Sequence, residues 1–183
     1  VLEKRPLNSK PFMMPTVCPS CGSPVVKEEG EVAYRCVSID CPAQATERLI
    51  HWGSRKAMDI DGLGEELVNK LVANGILSDV ADFYDKLTVS DIAELPTGRF
   101  YETDTDGHLS GDPIPTGLTI AEKIMAQIQE SKTRGLARVL FGIGIRHVGA
   151  NMAALLAQYF HSIQELQLAT EEQMAAISGV GPK

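Results

Sequence analysis

Four cysteines fall into two close pairs, Cys18-x2-Cys21 and Cys36-x4-Cys41, with fourteen residues between the pairs. Thiols gathered on a tetrahedron can hold a short stretch that has no core of its own, so this spacing constrains the start of the chain more than any hydrophobic pattern does. "CPSCG" puts the first pair on a tight turn, where Gly22 gives the backbone room to point its amides at sulfur. "SPVVKEEGEVAYRC" reads as two short strands around Glu28–Gly30, which return the second pair to the first. Disulfides would need an oxidising compartment, and no signal peptide opens the chain. A redox Cys-x-x-Cys is expected beside a strand–helix–strand unit, which the pattern lacks. Four unrelated buried thiols would not fall into pairs. The spacing therefore predicts a structural zinc site with ligands Cys18, Cys21, Cys36 and Cys41, and four thiolates leave no open position for hydrolytic chemistry. His51 is expected to be an ordinary packed or surface histidine.

The first seventeen residues hold three prolines and no clear period, and read as a linker or the tail of a preceding domain. No apolar run approaches the roughly 18–20 residues of a membrane span. The expectation is a soluble, cytosolic protein. The net charge of −7 argues against a nucleic-acid partner if taken alone. The charge is uneven, however. Residues 61–117 carry twelve acids and three bases, whereas residues 118–160 carry five bases and two acids. A phosphate-binding face is thus compatible with the overall acidity, and the acidic stretch 79–112 reads as a solvated face and loop.

Beyond the cysteines the chain reads as helical. Leu67, Val68, Leu71 and Val72 form one apolar stripe, Ala121, Ile124, Met125 and Ile128 a second, and Met152, Leu155, Leu156 and Tyr159 a third. Three segments align without gaps: Ile60-Asp61-Gly62-Leu63-Gly64, Ile145-Arg146-His147-Val148-Gly149 and Ile177-Ser178-Gly179-Val180-Gly181. A longer repeat supports them, since "TVSDIAEL" (88–95) aligns with "TEEQMAAI" (170–177). In the later copy Thr170 and Gln173 make a capping box. By this alignment Leu95 leads into a further hairpin, interrupted by "PTGRFYETDTDGHLSGDPIPT" before Gly117. The chain is expected to hold two pairs of helix–glycine turn–helix units, one with an inserted loop over residues 98–116.

Such a turn suits phosphate. The second helix begins with free N–H groups and the positive end of its dipole, and glycine keeps side chains out of the way. The residue between the glycines (Leu63, Val148, Val180) is expected to point inward and lock the helices. One such glycine turn alone would read as a helix cap, but three copies argue for a shared task. The candidate phosphate-contacting residues are Gly62, Leu63, Gly64, Gly117, Arg146, His147, Val148, Gly149, Gly179 and Gly181. Arg55, Lys56, Lys123 and Arg138 are basic candidates, each of which could equally be plain surface.

"CPSCG…RCVSIDCPAQATERLIHWGSRKAMDIDGLGEELVNKL", with "GIRHVG" and "ISGVG", closely resembles the C-terminal half of bacterial NAD-dependent DNA ligases, from about Val17 onward. The resemblance implies a mainly α architecture: a linker leaving an oligonucleotide-binding barrel (1–17), a small four-cysteine zinc finger with a short β-hairpin (18–43), then tandem helix-hairpin-helix units (44–183). It implies non-sequence-specific grip on nicked double-stranded DNA, alongside other domains of the same ligase, in an enzyme that seals 5′-phosphate/3′-hydroxyl nicks in replication and repair. It also implies a bacterial cytosolic, nucleoid-associated location. The family's adenylation lysine sits in Lys-x-Asp-Gly, a tetrapeptide missing here, where "DIDG" has Asp59 instead of lysine. NAD and Mg would bind outside these residues, and the chain alone should be inactive. The inserted loop puts phosphate contact at the second hairpin in doubt. "ISGVGPK" reads as a fourth hairpin stopped before its second helix, with Gly179–Gly181 frayed. A different reading is a helical-hairpin protein-interaction adaptor with a structural zinc.

Overall fold

The computed structural model describes residues 10, 12–103 and 109–180. The chain divides into two compact units, Val1–Ala45 and Thr46–Lys183.

In the first unit, strands β1 (Val25–Lys27) and β2 (Tyr34–Cys36) pair antiparallel, with Val25 opposite Cys36 and Lys27 opposite Tyr34. The turn between them includes Gly30 at φ +80°, a left-handed conformation that favours glycine. Val17 bridges Pro24, and the Val25 amide donates to Thr16 O, so the residues just before Cys18 are tied into this small sheet. Helix α1 (Pro42–Gly53) then starts with proline at its first position, where no amide is needed.

The larger unit holds the remaining helices. These are α2 (Glu65–Ala73), α3 (Asp82–Asp85), α4 (Val89–Ala93), α5 (Leu118–Ser131), α6 (Leu136–Ile143), α7 (Ala150–Tyr159), α8 (Ile163–Leu168) and α9 (Glu171–Ala175). Two apolar clusters organise them. One gathers Leu49, Trp52, Leu63, Val68, Leu71, Phe83, Ile92 and Ile124 among others, and so joins the first two helical hairpins. The second gathers Leu140, Ala153, Leu156 and Ile177 and joins the last two. The two pairs expected from the repeat are therefore two pairs in the packing. The pairs are latched: His51 Nε2 lies 2.9 Å from Phe141 O, and a Cβ on Gly142 would come within 2.9 Å of the Trp52 ring. Glycine is required there because helix α6 lies directly on the indole.

The repeat extends to hydrogen-bond detail. Thr88 and Asp91 form a reciprocal capping box at α4, as Thr170 and Gln173 do at α9. The stripes on α2 and α5 face the core. The stripe on α7 is narrower than expected, because Tyr159 is 53% exposed at the helix end. The connection between α1 and α2 is also no short turn: residues 54–64 intervene.

The inserted segment is a second correction. Strands β3 (Pro96–Thr103) and β4 (Leu109–Pro115) pair antiparallel from Pro96 opposite Pro115 to Thr103 opposite Leu109, with irregular register on either side of Phe100. Its prolines count against a strand inside a sheet. In a two-stranded ribbon both strands are edges, so an imino nitrogen can face outward without costing a ladder bond.

Asp82 corrects the view of 79–112 as a solvated face. It is buried, and its Oδ2 accepts from the Ser78 amide (2.8 Å), the Ser78 hydroxyl (2.7 Å) and the Asp79 amide (3.1 Å), while Lys86 Nζ lies 2.7 Å from Oδ1. Burial pushes this carboxyl up, but Lys86 and the Ser78 and Asp79 donors outweigh it and hold the group well below the usual carboxylate range. The ionised form is the one that the fold favours, so Asp82 adds stability above the unfolded-chain value of about 4. That contribution is lost as pH falls through the depressed folded value. Asp82→Ala should cost roughly 2–3 kcal/mol at neutral pH. Denaturant melts should show the gap between variant and parent closing below about pH 4.

Candidate zinc centre and nucleic-acid interface

The paired turns carry the four cysteines to one point. All four Sγ atoms lie within 4.8 Å of one another, with Cys18 to Cys41 at 3.8 Å and Cys21 to Cys36 at 3.5 Å. A tetrahedral zinc with metal–sulfur bonds of about 2.3 Å needs sulfur–sulfur edges of about 3.8 Å, so the donor set fits the ion in type, number and spacing. Main-chain bonds shape this cup. The Gly22 amide donates to Cys18 O, the Cys18 amide to Ser23 O, and the Cys41 amide to Ser38 O. Gln44 Nε2 donates to Cys36 O at 3.0 Å. The thiols are also electrostatically matched to a cation. The Ser23 hydroxyl and amide hold Cys21 down to about 6. At Cys36 the Ser38 amide pulls down, but desolvation and the adjacent Cys21 and Cys18 thiols push the group up to about 11. Crowded sulfurs cannot all ionise against one another without a positive charge between them. His51 is not part of this set and packs against Phe141, with ring centroids 4.7 Å apart.

In the larger unit the three aligned turns have the same geometry. The Leu63 amide donates to Ile60 O (3.3 Å), Val148 to Ile145 O (3.0 Å) and Val180 to Ile177 O (3.0 Å). Each turn has its third position left-handed: Gly62 at φ +85°, His147 at +66° and Gly179 at +100°. This explains the one mismatch in the repeat, because histidine is among the residues that enter this region more readily than most. Leu63 is buried, and Val148 and Val180 are half-buried against the second cluster, so the residue following the left-handed position does lock the helices.

The capping glycines Gly64 and Gly149 are extended, at φ −81° and −77°, and a Cβ on either would meet nothing within 4 Å. Their carbonyls start the helices by accepting from Val68 and Ala153, both fully buried. Among the described residues, the amides of Gly64, Glu65 and Glu66, and of Gly149, Ala150 and Asn151, have no hydrogen-bond partner. Each turn thus offers a fan of unpaired donors at the positive end of a helix, facing open space. The two differ in charge. Helix α2 has Glu65 and Glu66 in its first turn, whereas α7 has no acid there. Lys70 offsets one of them: its Nζ lies 2.5 Å from Glu66 Oε1, and the Glu66 carboxyl is drawn down by that hydrogen bond and charge.

Gly117 is built differently. It caps α5 at φ +84°, and its amide is used by Ala93 O at 3.0 Å. Its carbonyl still accepts from Ala121, as the repeat requires. The basic candidates separate into two kinds. Arg55, Lys56, Lys123 and Arg146 are exposed, as is His147. Arg138 is half-buried and donates through Nη1 to Arg55 O (3.1 Å) and Ala57 O (2.8 Å), a strut beneath the first turn. Gly181 lies outside the described residues. A further cation emerges from the fold: Lys70 lines a cavity of about 320 Å³ with Gly62, Gly64, Thr97 and Thr116, and donates to Pro96 O at 2.6 Å. Its spacing four residues after Glu66 marks it in sequence as half of a helix-surface pair, with no sign of a groove.

Residues 17–43 match the family model for the NAD-dependent DNA ligase C4 zinc finger domain. Residues 138–183 match the helix-hairpin-helix motif. Curated relatives align along nearly the whole chain. The DNA ligase of Heliobacterium modesticaldum is 44% identical over 181 residues, which is 99% of this chain and 24% of the relative. The chain is homologous to one segment of bacterial DNA ligase. The DNA ligase of Bacillus subtilis is 40% identical over 183 residues, all of this chain and 25% of that protein. The chain thus spans about a quarter of the length of the ligases it matches. The ligase zinc finger and the four converging thiols agree that this is a four-cysteine zinc-binding site. No helix among the described residues is long and apolar enough to cross a membrane.

Proposed function

We propose that this chain grips nicked duplex DNA, without reading its sequence, as part of an NAD-dependent DNA ligase that seals 5′-phosphate/3′-hydroxyl nicks. The observation that carries this is the repeated turn with unpaired helix-start amides at Gly64 and Gly149, both open to solvent. Donors of this kind suit backbone phosphate, which every sequence displays equally. Arg55, Lys56, Lys123, Arg146 and His147 add positive charge around the turns, and Gly62, Leu63, Val148 and Gly179 shape them. Gly117 starts a helix in the equivalent place. Arg138 acts through the carbonyls that it holds. The zinc is structural, since all four of its positions are filled by thiolate. Adenylation, with NAD and Mg, belongs to parts of the ligase outside residues 1–183, and the setting is the bacterial cytosol.

Fluorescence titration of the 183-residue chain with a labelled nicked duplex should show binding that varies little between unrelated sequences. The affinity should fall steeply with salt, the logarithmic slope reporting the number of phosphates contacted. No binding at low salt would sink the proposal and leave the adaptor reading, in which the hairpins dock on a protein. Incubation with pre-adenylated nicked DNA should give no sealing.

A further inference from the structure

We infer that the second helical hairpin meets the duplex through an apolar contact, Leu118 and Ile120 against the deoxyribose-lined wall of the minor groove, with a reduced phosphate grip by its turn. This rests on the DNA-binding reading above and assigns a separate chemistry to one of its units.

The internal repeat fixes where the start of α5 lies. The Gly117 carbonyl accepts from Ala121 as those of Gly64 and Gly149 accept from Val68 and Ala153, and all three donating residues are fully buried. The start of α5 is therefore the counterpart of the starts of α2 and α7. What it presents differs. The β3–β4 ribbon replaces the glycine turn, and its base closes inward: the Thr116 amide and hydroxyl both donate to Leu95 O (2.8 and 2.9 Å), and the Gly117 amide to Ala93 O. Of the three helix-start donors that the first and third hairpins leave free, the one on the capping glycine is consumed here. The first turn of α5 carries no charged residue, and Leu118 and Ile120 stand 63% and 50% exposed on it. Neither belongs to the residues packed on the core clusters.

The same cavity connects this apolar pair to the first hairpin. Ile120, Thr116 and Ile124 line one side of it, and Gly62, Gly64 and Lys70 the other. A strand held by phosphate at Gly64 would bring its sugars along this cavity toward Ile120. Next to its phosphates, a duplex offers apolar surface in the deoxyribose rings and base edges of the minor groove. Leu and Ile are among the side chains that proteins place against such surfaces. Removing two half-exposed aliphatic groups from water adds affinity without releasing counterions, so this contribution is independent of salt.

The test is the double variant Leu118→Ser/Ile120→Ser in the 183-residue chain, titrated with nicked duplex from low to moderate salt. Binding should weaken about tenfold at every salt concentration, with the log-affinity against log-salt line parallel to that of the parent. Arg146→Gln, as a contrast, should lower affinity and make the slope shallower by about one. Both positions are exposed, so the fold should persist, and the emission of Trp52, the only tryptophan, reports whether it does. A misfolded double variant would be replaced by Leu118→Gln alone, expected to weaken binding about threefold. Unchanged or tighter binding by a folded variant would overturn the inference, tighter binding revealing a phosphate that the apolar pair had held off. If the parent chain itself fails to bind, it is the underlying DNA reading that falls.

Discussion

Stripping the zinc is expected to unfold the first unit and leave the helical unit intact. Among its described residues only Cys18 and Cys41 are buried. Its strands are three residues long, and a two-stranded hairpin of that size does not hold itself together in water. Structural zinc supplies about 10–16 kcal/mol in comparable peptides, which far exceeds anything this sheet can provide. After chelation, amide exchange across Val25–Lys27 and Tyr34–Cys36 should rise to the unprotected rate. The thermal transition reported by Trp52, which packs in the helical core, should stay in place. Cys18→Ser should behave as the chelated protein does. Protected β1–β2 amides in metal-free protein, or purified chain with no zinc bound, would count decisively against the site.

Gly149→Asp is the second change of large effect, and it separates folding from binding. The site is extended at φ −77° with free space around a Cβ, so aspartate fits without strain. Aspartate is also a better helix cap than glycine, so stability should hold or rise by a few tenths of a kcal/mol. Its carboxylate would take up the helix-start amides and place negative charge where a phosphate would sit. Affinity for nicked duplex should fall roughly 100-fold, about half of it recoverable in logarithmic terms with the neutral Gly149→Asn. Gly64→Asp should be milder, because Glu65 and Glu66 already weaken that end for anions. Gly62→Asp is no such test, since a left-handed φ and a Cβ 2.9 Å from Ile124 would disturb the core. Equal affinities for Gly149→Asp and the parent would remove the helix-start donors from the interface.

Much of this was legible in the chain because the informative features are local. The Cys pairs, the capping boxes and the glycine turns each depend on residues a few positions apart, and their chemistry admits few conformations. The repeat then supplied three independent copies, so even His147 could be placed in a glycine position before its φ of +66° was known. What went unseen was decided by contacts between distant segments. Tyr159 has the right period for burial but sits at the end of α7, where little packs on it. Asp82 looks like one more surface acid, yet the turn at Ser78–Asp79 folds three donors onto it.

The sequence by itself determined the four-thiol site, the starts of the helices that follow the glycine turns and the pairing of the hairpins, since each follows from spacing and backbone preference. Only the tertiary structure decided which cations are exposed. Arg138 and Arg146 look alike as residues on or beside helices, but Arg138 is held by two carbonyls 81 and 83 positions away, while Arg146 stands exposed at the third turn. The same holds for the inserted ribbon, whose prolines hide a sheet that exists because both its strands are edges. Periodicity reports which face a residue shares with its neighbours, whereas the orientation of a long side chain depends on what the rest of the chain brings within its reach.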